Sequence, residues 1–214
     1  LKIPKPTIKR LALYYRCLNR YREEGVNFVS SKDIAERLNL KPSQVRKDLS
    51  YFGEFGKRGL GYNVVKLVDE LARIIGVNKV WNVAIIGAGN LGTALANYPG
   101  LLKHKFKVVA LFDNDREKVG KKIAGIPVFH VGDLIRLTQE LNIEICVIAV
   151  PELAAQRVAE IAEEAGVKGI VNFSPVKLRT SIPVEDVDIT LSFETLAYNI
   201  LKANPEMLKL IEEQ

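Results

Sequence analysis

Apolar positions in the first 75 residues recur at helical spacing, whereas those after residue 80 gather in short unbroken runs. The first pattern predicts amphipathic helices and the second predicts strands covered on both faces. A first helix is expected from Thr7, as its cap, to about Glu23, with Ile8, Leu11, Tyr15 and Leu18 inward and Gly25 ending it. Phe28 and Val29 suit a short strand. Ser31 is expected to cap a second helix carrying Ile34, Ala35 and Leu38. Asn39 and Leu40 make a turn, and Pro42 suits the first position of a third helix that buries Val45, Leu49 and Phe52. Gly53, Gly56, Gly59 and Gly61 mark a hairpin, and Asn63 opens a fourth helix striped with Val64, Leu67, Val68, Leu71 and Ile74.

From residue 80 the chain alternates. Apolar runs at 80–86, 108–112, 145–150 and 169–173 are separated by helical patterns at 91–98, 132–141 and 154–165. That alternation predicts a parallel, doubly wound sheet. Residues 187–191 are expected to add a last strand. The tail, 193–203, is helical in pattern and restarts at Asn204 and Pro205. The expected fold class is therefore α/β: a winged helix-turn-helix domain over 1–77, a Rossmann domain over 78–191, and a C-terminal helix over 192–214.

Composition narrows the function. The chain has 214 residues, 48% hydrophobic and 26% charged, with no apolar run long enough for a membrane span. No apolar signal core follows the basic N-terminus, and two cysteines cannot build a disulfide framework, so a cytoplasmic location is expected. The net charge of +6 conceals a split. Residues 1–80 carry 17 Lys and Arg against 8 Asp and Glu, while residues 81–214 carry 14 against 17. The basic half suits a polyanion and the other half a small molecule.

The chemistry-bearing motif of the second half is Gly87-Ala88-Gly89-Asn90-Leu91-Gly92. It follows an apolar strand, opens a helix and precedes Asp113 at the end of the next apolar run. A dinucleotide needs that context: glycines for a tight turn, for backbone approach to a pyrophosphate and for close helix–strand packing, then an acid for a ribose. Asp113 would accept from the adenosine ribose and repel a 2′-phosphate, which favours NAD(H) over NADP(H). Coenzyme A on a related fold is the alternative ligand.

In the first half, Ser43, Lys47 and Ser50 lie on the face of the third helix opposite its apolar stripe, flanked by Gln44, Arg46 and Tyr51. Such side chains read major-groove edges and grip phosphates. Lys57, Arg58 and Gly59 form a hairpin tip suited to a minor groove, with Tyr62 nearby. A helix-turn-helix with a basic wing points to double-stranded DNA. Cys17 and Cys146 are expected to be small buried hydrophobes rather than redox thiols. His104 and His130 have no neighbours suited to proton transfer, and no metal-ligand spacing occurs.

Three segments together carry a family resemblance: IPKPTIKRLALYYRCL (3–18), KPSQVRKDLSYFGEFGKRGLGYNV (41–64) and VAIIGAGNLGTALANY (83–98). Across nearly its whole length the chain resembles the Rex family of redox-sensing transcriptional repressors. The resemblance implies a homodimer that exchanges its C-terminal helix, binds inverted-repeat operators, senses the NADH/NAD⁺ balance and releases DNA when NADH binds. A neutral reduced nicotinamide should prefer an apolar pocket to its cationic oxidised form. Val150, Pro151 and Phe173, with Phe193 of the other subunit, are expected to form that pocket. Arg16, Tyr98 and Asp188 match residues that Rex-like proteins use as an allosteric relay, with Asp188 alternating between Arg16 and the Tyr98 hydroxyl. An NAD-dependent dehydrogenase is the rival reading. About 130 residues leave little room for a substrate domain, and no acid–base pair is evident, so no enzymatic role and no catalytic residue are expected.

Overall fold

The computed structural model describes residues 3–57 and 59–204. Arg58 and the tail from Pro205 onward, including Leu208 and Ile211, lie outside the described residues. Packing divides the chain into two compact units, Leu1–Lys79 and Val80–Gln214. The division falls two residues beyond the expected boundary, and the C-terminal helix groups with the second unit.

The first unit contains α1 (Lys5–Glu23), β1 (Phe28–Val29), α2 (Ser31–Leu38), α3 (Pro42–Ser50), β2 (Gly56–Lys57), β3 (Gly61–Asn63) and α4 (Val64–Ile74). Its antiparallel sheet has the order β1-β3-β2, with β2 and β3 forming the wing. Leu11, Tyr14 and Leu18 of α1 share one core with Ile34, Val45, Leu49, Val64, Leu67 and Leu71. Each such aliphatic side chain contributes roughly 1.5–3 kcal/mol when fully buried.

Two expected caps are corrected. Helix α1 begins at Lys5 behind Pro4, and Thr7 is buried in its first turn instead of capping it. Helix α2 is capped by Ser30, one residue before the expected Ser31. The Ser30 hydroxyl accepts from the Lys32 and Asp33 N–H groups, and the Asp33 carboxylate accepts from the Ser30 N–H. Asn39 then closes α2 with a left-handed φ of 51°. Asparagine tolerates that conformation better than most residues.

The second unit contains β4 (Trp81–Ile86), α5 (Asn90–Ala96), α6 (Pro99–Lys103), β5 (Phe106–Asp113), β6 (Lys122–Ile123), β7 (Ile126–His130), a 3-10 turn (Val131–Asp133), α7 (Leu134–Glu140), β8 (Ile145–Ile148), α8 (Glu152–Glu164), β9 (Gly169–Asn172), β10 (Val184–Asp186) and α9 (Ile189–Ala203). Its described sheet runs β10-β9-β8-β4-β5-β7-β6, parallel except for the β6–β7 pair. The central strands are covered on both faces, which explains their unbroken apolar sequences. From β4 the chain winds outward through β5 and β7, then returns to build β8, β9 and β10 on the other side. The order therefore reverses between β4 and β8, where ligands bind at the strands' C-terminal ends.

The expected strand at 187–191 is corrected as well. Pairing with β9 uses residues 184–186, and Asp188 instead caps α9 by accepting from the Thr190 N–H at 2.9 Å. The alternating apolar pattern of 187–191 therefore belongs largely to a helix start. His104 is the C-cap of α6, a helix that the apolar pattern did not announce.

Candidate nucleotide site and DNA-reading face

The glycine-rich turn sits at the switch point. Gly87 leaves β4 with φ 103°, a conformation that side chains disfavour, and its N–H donates to the Phe112 carbonyl at 2.8 Å. A β-carbon on Gly87 would collide with the Ala149 carbonyl oxygen just beyond β8. One on Gly92 would collide with the carbonyl oxygen of Gly87 itself. Gly89 differs: a β-carbon there meets nothing within 4 Å. The turn is thus closed toward the protein and open at the position where a pyrophosphate approaches. The first turn of α5 adds N–H groups that helix geometry leaves without intrahelical acceptors. Asn90 is exposed and Leu91 half-buried there, while Ala88 is buried.

Asp113 ends β5 beside this turn. Its Oδ2 accepts from the Ala88 N–H at 2.8 Å and its Oδ1 from the Asp115 N–H at 2.9 Å. The Lys118 ammonium lies 3.3 Å from Oδ2. Burial works against the charged form, but the Asp115 and Ala88 N–H groups and Lys118 outweigh it and hold the carboxyl below its usual range. Each carboxylate oxygen offers two lone pairs, so Oδ1 keeps one for a ribose hydroxyl. The residues present fit a dinucleotide.

Val150 and Phe173 follow β8 and β9 and are half-buried, while Pro151 is exposed. The Phe173 N–H donates to the Ile148 carbonyl at 2.9 Å, and the Ser174 hydroxyl donates to the Val150 carbonyl at 2.6 Å. The structure therefore gathers residues 87–92, Asp113, Val150, Pro151 and Phe173 along one edge of the sheet. Sequence reading missed Lys118, whose only signal was a cation five residues after the acid.

Of the relay residues, Tyr98 and Asp188 lie in the second unit and are engaged separately. The Tyr98 ring is exposed and folds back over Gly100. The Asp188 carboxylate is taken by Thr190, whose hydroxyl donates at 2.6 Å, and no Asp188–Tyr98 hydrogen bond forms among the described residues. The same hydroxyl holds the Asp188 carboxyl below its usual range. Arg16 is exposed on α1, in the other unit.

On α3, Ser43, Arg46, Lys47 and Ser50 are exposed, and Tyr51 is half-buried at its C-cap. Lys57 and Gly59 are exposed on the wing. One expected DNA-facing residue turns inward instead, and another is held by a neighbour while staying half-buried. Tyr62 is only 9% exposed, because β3 packs its ring into the core beside Gly56. Gln44 gives its amide to Asp48 at 2.9 Å. Arg46 donates to the Ser31 hydroxyl at 2.9 Å and Ser50 to the Lys47 carbonyl at 2.8 Å, so both are oriented by neighbours while remaining exposed.

Behind that face lies a group that sequence reading overlooked. The Asp48 side chain is 1% exposed. It accepts from Arg10 twice (Nε at 2.5 Å, Nη2 at 2.8 Å), from the Tyr14 hydroxyl at 2.7 Å, from the Thr7 hydroxyl at 3.1 Å and from Gln44. Burial opposes its charge, but Arg10, Tyr14 and Gln44 prevail and hold its carboxyl below the usual range. The signal was a charged residue between Val45 and Leu49 on the buried face of α3. Arg10 and Gln44 also line a shallow cleft of about 450 Å³ with Asn39, Leu40, Lys41 and Ser43.

Both cysteines are buried. Burial pushes the Cys146 thiol up to about 12 and the Cys17 thiol in the same direction, which suits inert core residues. Among the described residues no group of acidic, His and Cys side chains could hold a metal, and no helix is long and apolar enough to cross a membrane.

Comparison with known proteins places the two units in context. Residues 2–50 match a family model described as "Putative DNA-binding protein N-terminus", and residues 78–176 match one described as "CoA binding domain". A redox-sensing transcriptional repressor Rex from Thermosipho africanus is 64% identical over 199 residues, covering 93% of this chain and 96% of the relative. Rex 1 from Thermotoga maritima is 52% identical, covering 95% and 98%. Among solved structures, RSP, a Rex-family repressor, in complex with β-NAD⁺ and operator DNA is 33% identical with a TM-score of 0.91, covering 100% of this chain and 99% of that one. RSP in complex with β-NADH is 32% identical with a TM-score of 0.84, covering 99% of each.

Proposed function

The chain belongs to the Rex family of redox-sensing transcriptional repressors, and from that premise we propose that it binds inverted-repeat operator DNA and releases it when NADH occupies the turn at residues 87–92. The observation that carries this reading is the junction of Asp113 with the Ala88 N–H at the switch point, in a chain whose other unit is a winged helix. Asp113 and the open edge at Gly89 favour a nicotinamide dinucleotide over coenzyme A, whose name the matching model carries.

The DNA reader is α3 with the wing: Lys47, Ser43 and Tyr51 toward base edges, Arg46, Lys57 and Arg58 toward phosphates or the minor groove. A palindromic operator calls for a two-fold protein, because half-site spacing mirrors protein symmetry. We assign the dimer contact to α9, whose Ile189, Leu191, Phe193, Leu196, Tyr198 and Ile200 are all exposed in the single chain. Arg16, Tyr98 and Asp188 are assigned to the change of shape. The reading needs no proton transfer and no turnover, and it places the protein beside the chromosome in the cytoplasm.

The test is a shift titration of an inverted-repeat operator at fixed salt, without ligand and with NADH or NAD⁺. We expect two chains per operator, release by NADH and little release by NAD⁺, with NADH recovered unconsumed. Operator binding indifferent to NADH would overturn the proposal.

Nucleotide choice gives a second expectation. Removing the carboxylate in Asp113→Ala takes away the nearer partner of Lys118, 3.3 Å away, and leaves it with Asp115 at 3.6 Å, so that it can turn to a 2′-phosphate. The NADH-to-NADPH affinity ratio should fall about tenfold or more, the size of a lost charge-assisted contact. Calorimetry with both nucleotides measures it, and an unchanged ratio would remove Asp113 from the ribose site.

A further inference from the structure

Strand β9 ends on a buried side chain for which the dinucleotide reading has no role. Asn172 is 1% exposed, and its amide is used at both ends. Its Nδ2 donates to the Val176 carbonyl at 2.8 Å and to Asp186 Oδ1 at 2.9 Å, while its Oδ1 accepts from the Ser174 N–H at 3.0 Å. Its backbone carbonyl accepts from the Val187 N–H at 2.8 Å. Ser174, itself buried, fastens the same turn to the Val150 carbonyl at 2.6 Å. On the far side, Asp186 pairs with Lys177 at 2.5 Å. One buried amide thus joins the turn 173–176 to β10 at Asp186, and through Ser174 that turn is held to Val150, just beyond β8. Asp186 stands two residues before the Asp188 cap of α9.

We propose that Asn172 is a positioning residue that makes the ligand-facing turn and the β10–α9 junction move as one, so that occupancy beside Val150 and Phe173 registers at α9. This rests on the reading of the chain as an NADH-responsive repressor. Backbone pairing alone does not make the link. The β9–β10 ladder couples residues 170–172 to 184–186, but the turn that carries Phe173 lies beyond it. What ties turn to strand is the amide, in a buried setting where hydrogen bonds are strong and intolerant of misalignment. A ring seated against Phe173 can displace the turn only by breaking these bonds or by carrying Asp186 with it. The second course leads to α9, whose exposed apolar side chains are suited to a partner.

A contiguous route is not itself a coupling, which is a free energy measured between two ligands. The experiment compares wild type, Asn172→Ala and Asp186→Ala. For each, operator affinity is measured at fixed salt without and with saturating NADH, and NADH affinity is measured without and with operator. Asp186→Ala removes the acceptor that the Asn172 amide uses, at an exposed position, and stands in should Asn172→Ala not fold. We expect both variants to bind operator alone within about threefold of wild type, while the factor by which NADH weakens that binding drops at least about fivefold. The factor by which operator weakens NADH must drop equally, so the second measurement checks the first. A full wild-type factor in every variant that folds overturns the proposal while leaving the sensor reading intact. A wild-type protein that ignores NADH overturns that reading, and this inference with it.

Discussion

Asp48→Ala should cost the N-terminal unit about 3–5 kcal/mol, the usual penalty for breaking a buried ion pair by removing one partner. Five hydrogen bonds end on that carboxylate, and two come from side chains with almost no route to water: Tyr14 is 0% exposed and Thr7 2%. Deleting the acceptor leaves both hydroxyls buried without it and strands the Arg10 guanidinium. The loss should appear as a lower unfolding midpoint. It should also weaken operator binding, because the Asp48 contacts fix α3 against α1 beneath the reading face. Acid provides an independent check. A carboxyl held below its usual range contributes stability that is complete at neutral pH. That stability begins to fade as pH falls toward the unfolded value of about 4, and it is lost once pH passes below the folded value. The Asp48→Ala variant should therefore lose stability less steeply than wild type between neutral pH and acid. A midpoint within about 0.5 kcal/mol of wild type, the scatter of an ordinary surface substitution, would show that the cluster holds nothing together.

Gly92→Ala should be the most damaging single methyl in the second unit. The added carbon would overlap the Gly87 carbonyl oxygen and stand 3.3 Å from Ile85 Cγ2, both parts of the packed switch point. Forcing an extra methyl into such a site costs typically about 1–3 kcal/mol, and the turn must open to relieve it. Both the melting temperature and NADH affinity should fall. Gly89→Ala separates fold from contact, because a β-carbon there meets nothing within 4 Å. It should leave the melting temperature near wild type and still weaken NADH, since the backbone must approach the pyrophosphate. Equal NADH affinity in Gly89→Ala and wild type would mean that the ligand does not pass over this turn.

Much of the fold follows from local rules. Pro42 and Asn63 mark helix starts because ring geometry and a capping oxygen act within one turn of chain. The runs at β4, β5, β8 and β9 announce a buried parallel sheet because strands covered on both faces cannot alternate. The glycine turn and Asp113 were legible for the same reason: a left-handed φ, a close approach and an acid at the next strand's end leave local marks in residue type.

What only the tertiary structure decided depends on partners far along the chain. Apart from Gln44 on the same helix, Asp48 draws its donors from positions 34 to 41 residues away, so its neighbours show only a charge on a buried face and not what satisfies it. Tyr62 reads in sequence as a DNA-facing residue of the wing, but the strand's pleat, set by pairing with β1 and β2, turns its ring inward. Residues 187–191 alternate like a strand. Register with β9 is spent by Asp186, however, and the Asp188 side chain then starts a helix. Asn172 gains its place because β10 returns beside β9 and brings Asp186 within 2.9 Å of its amide. Periodicity and turn chemistry act over a few residues and can be read from order alone. Which buried polar groups meet is settled only when distant elements pack, because burial makes each of them require a partner.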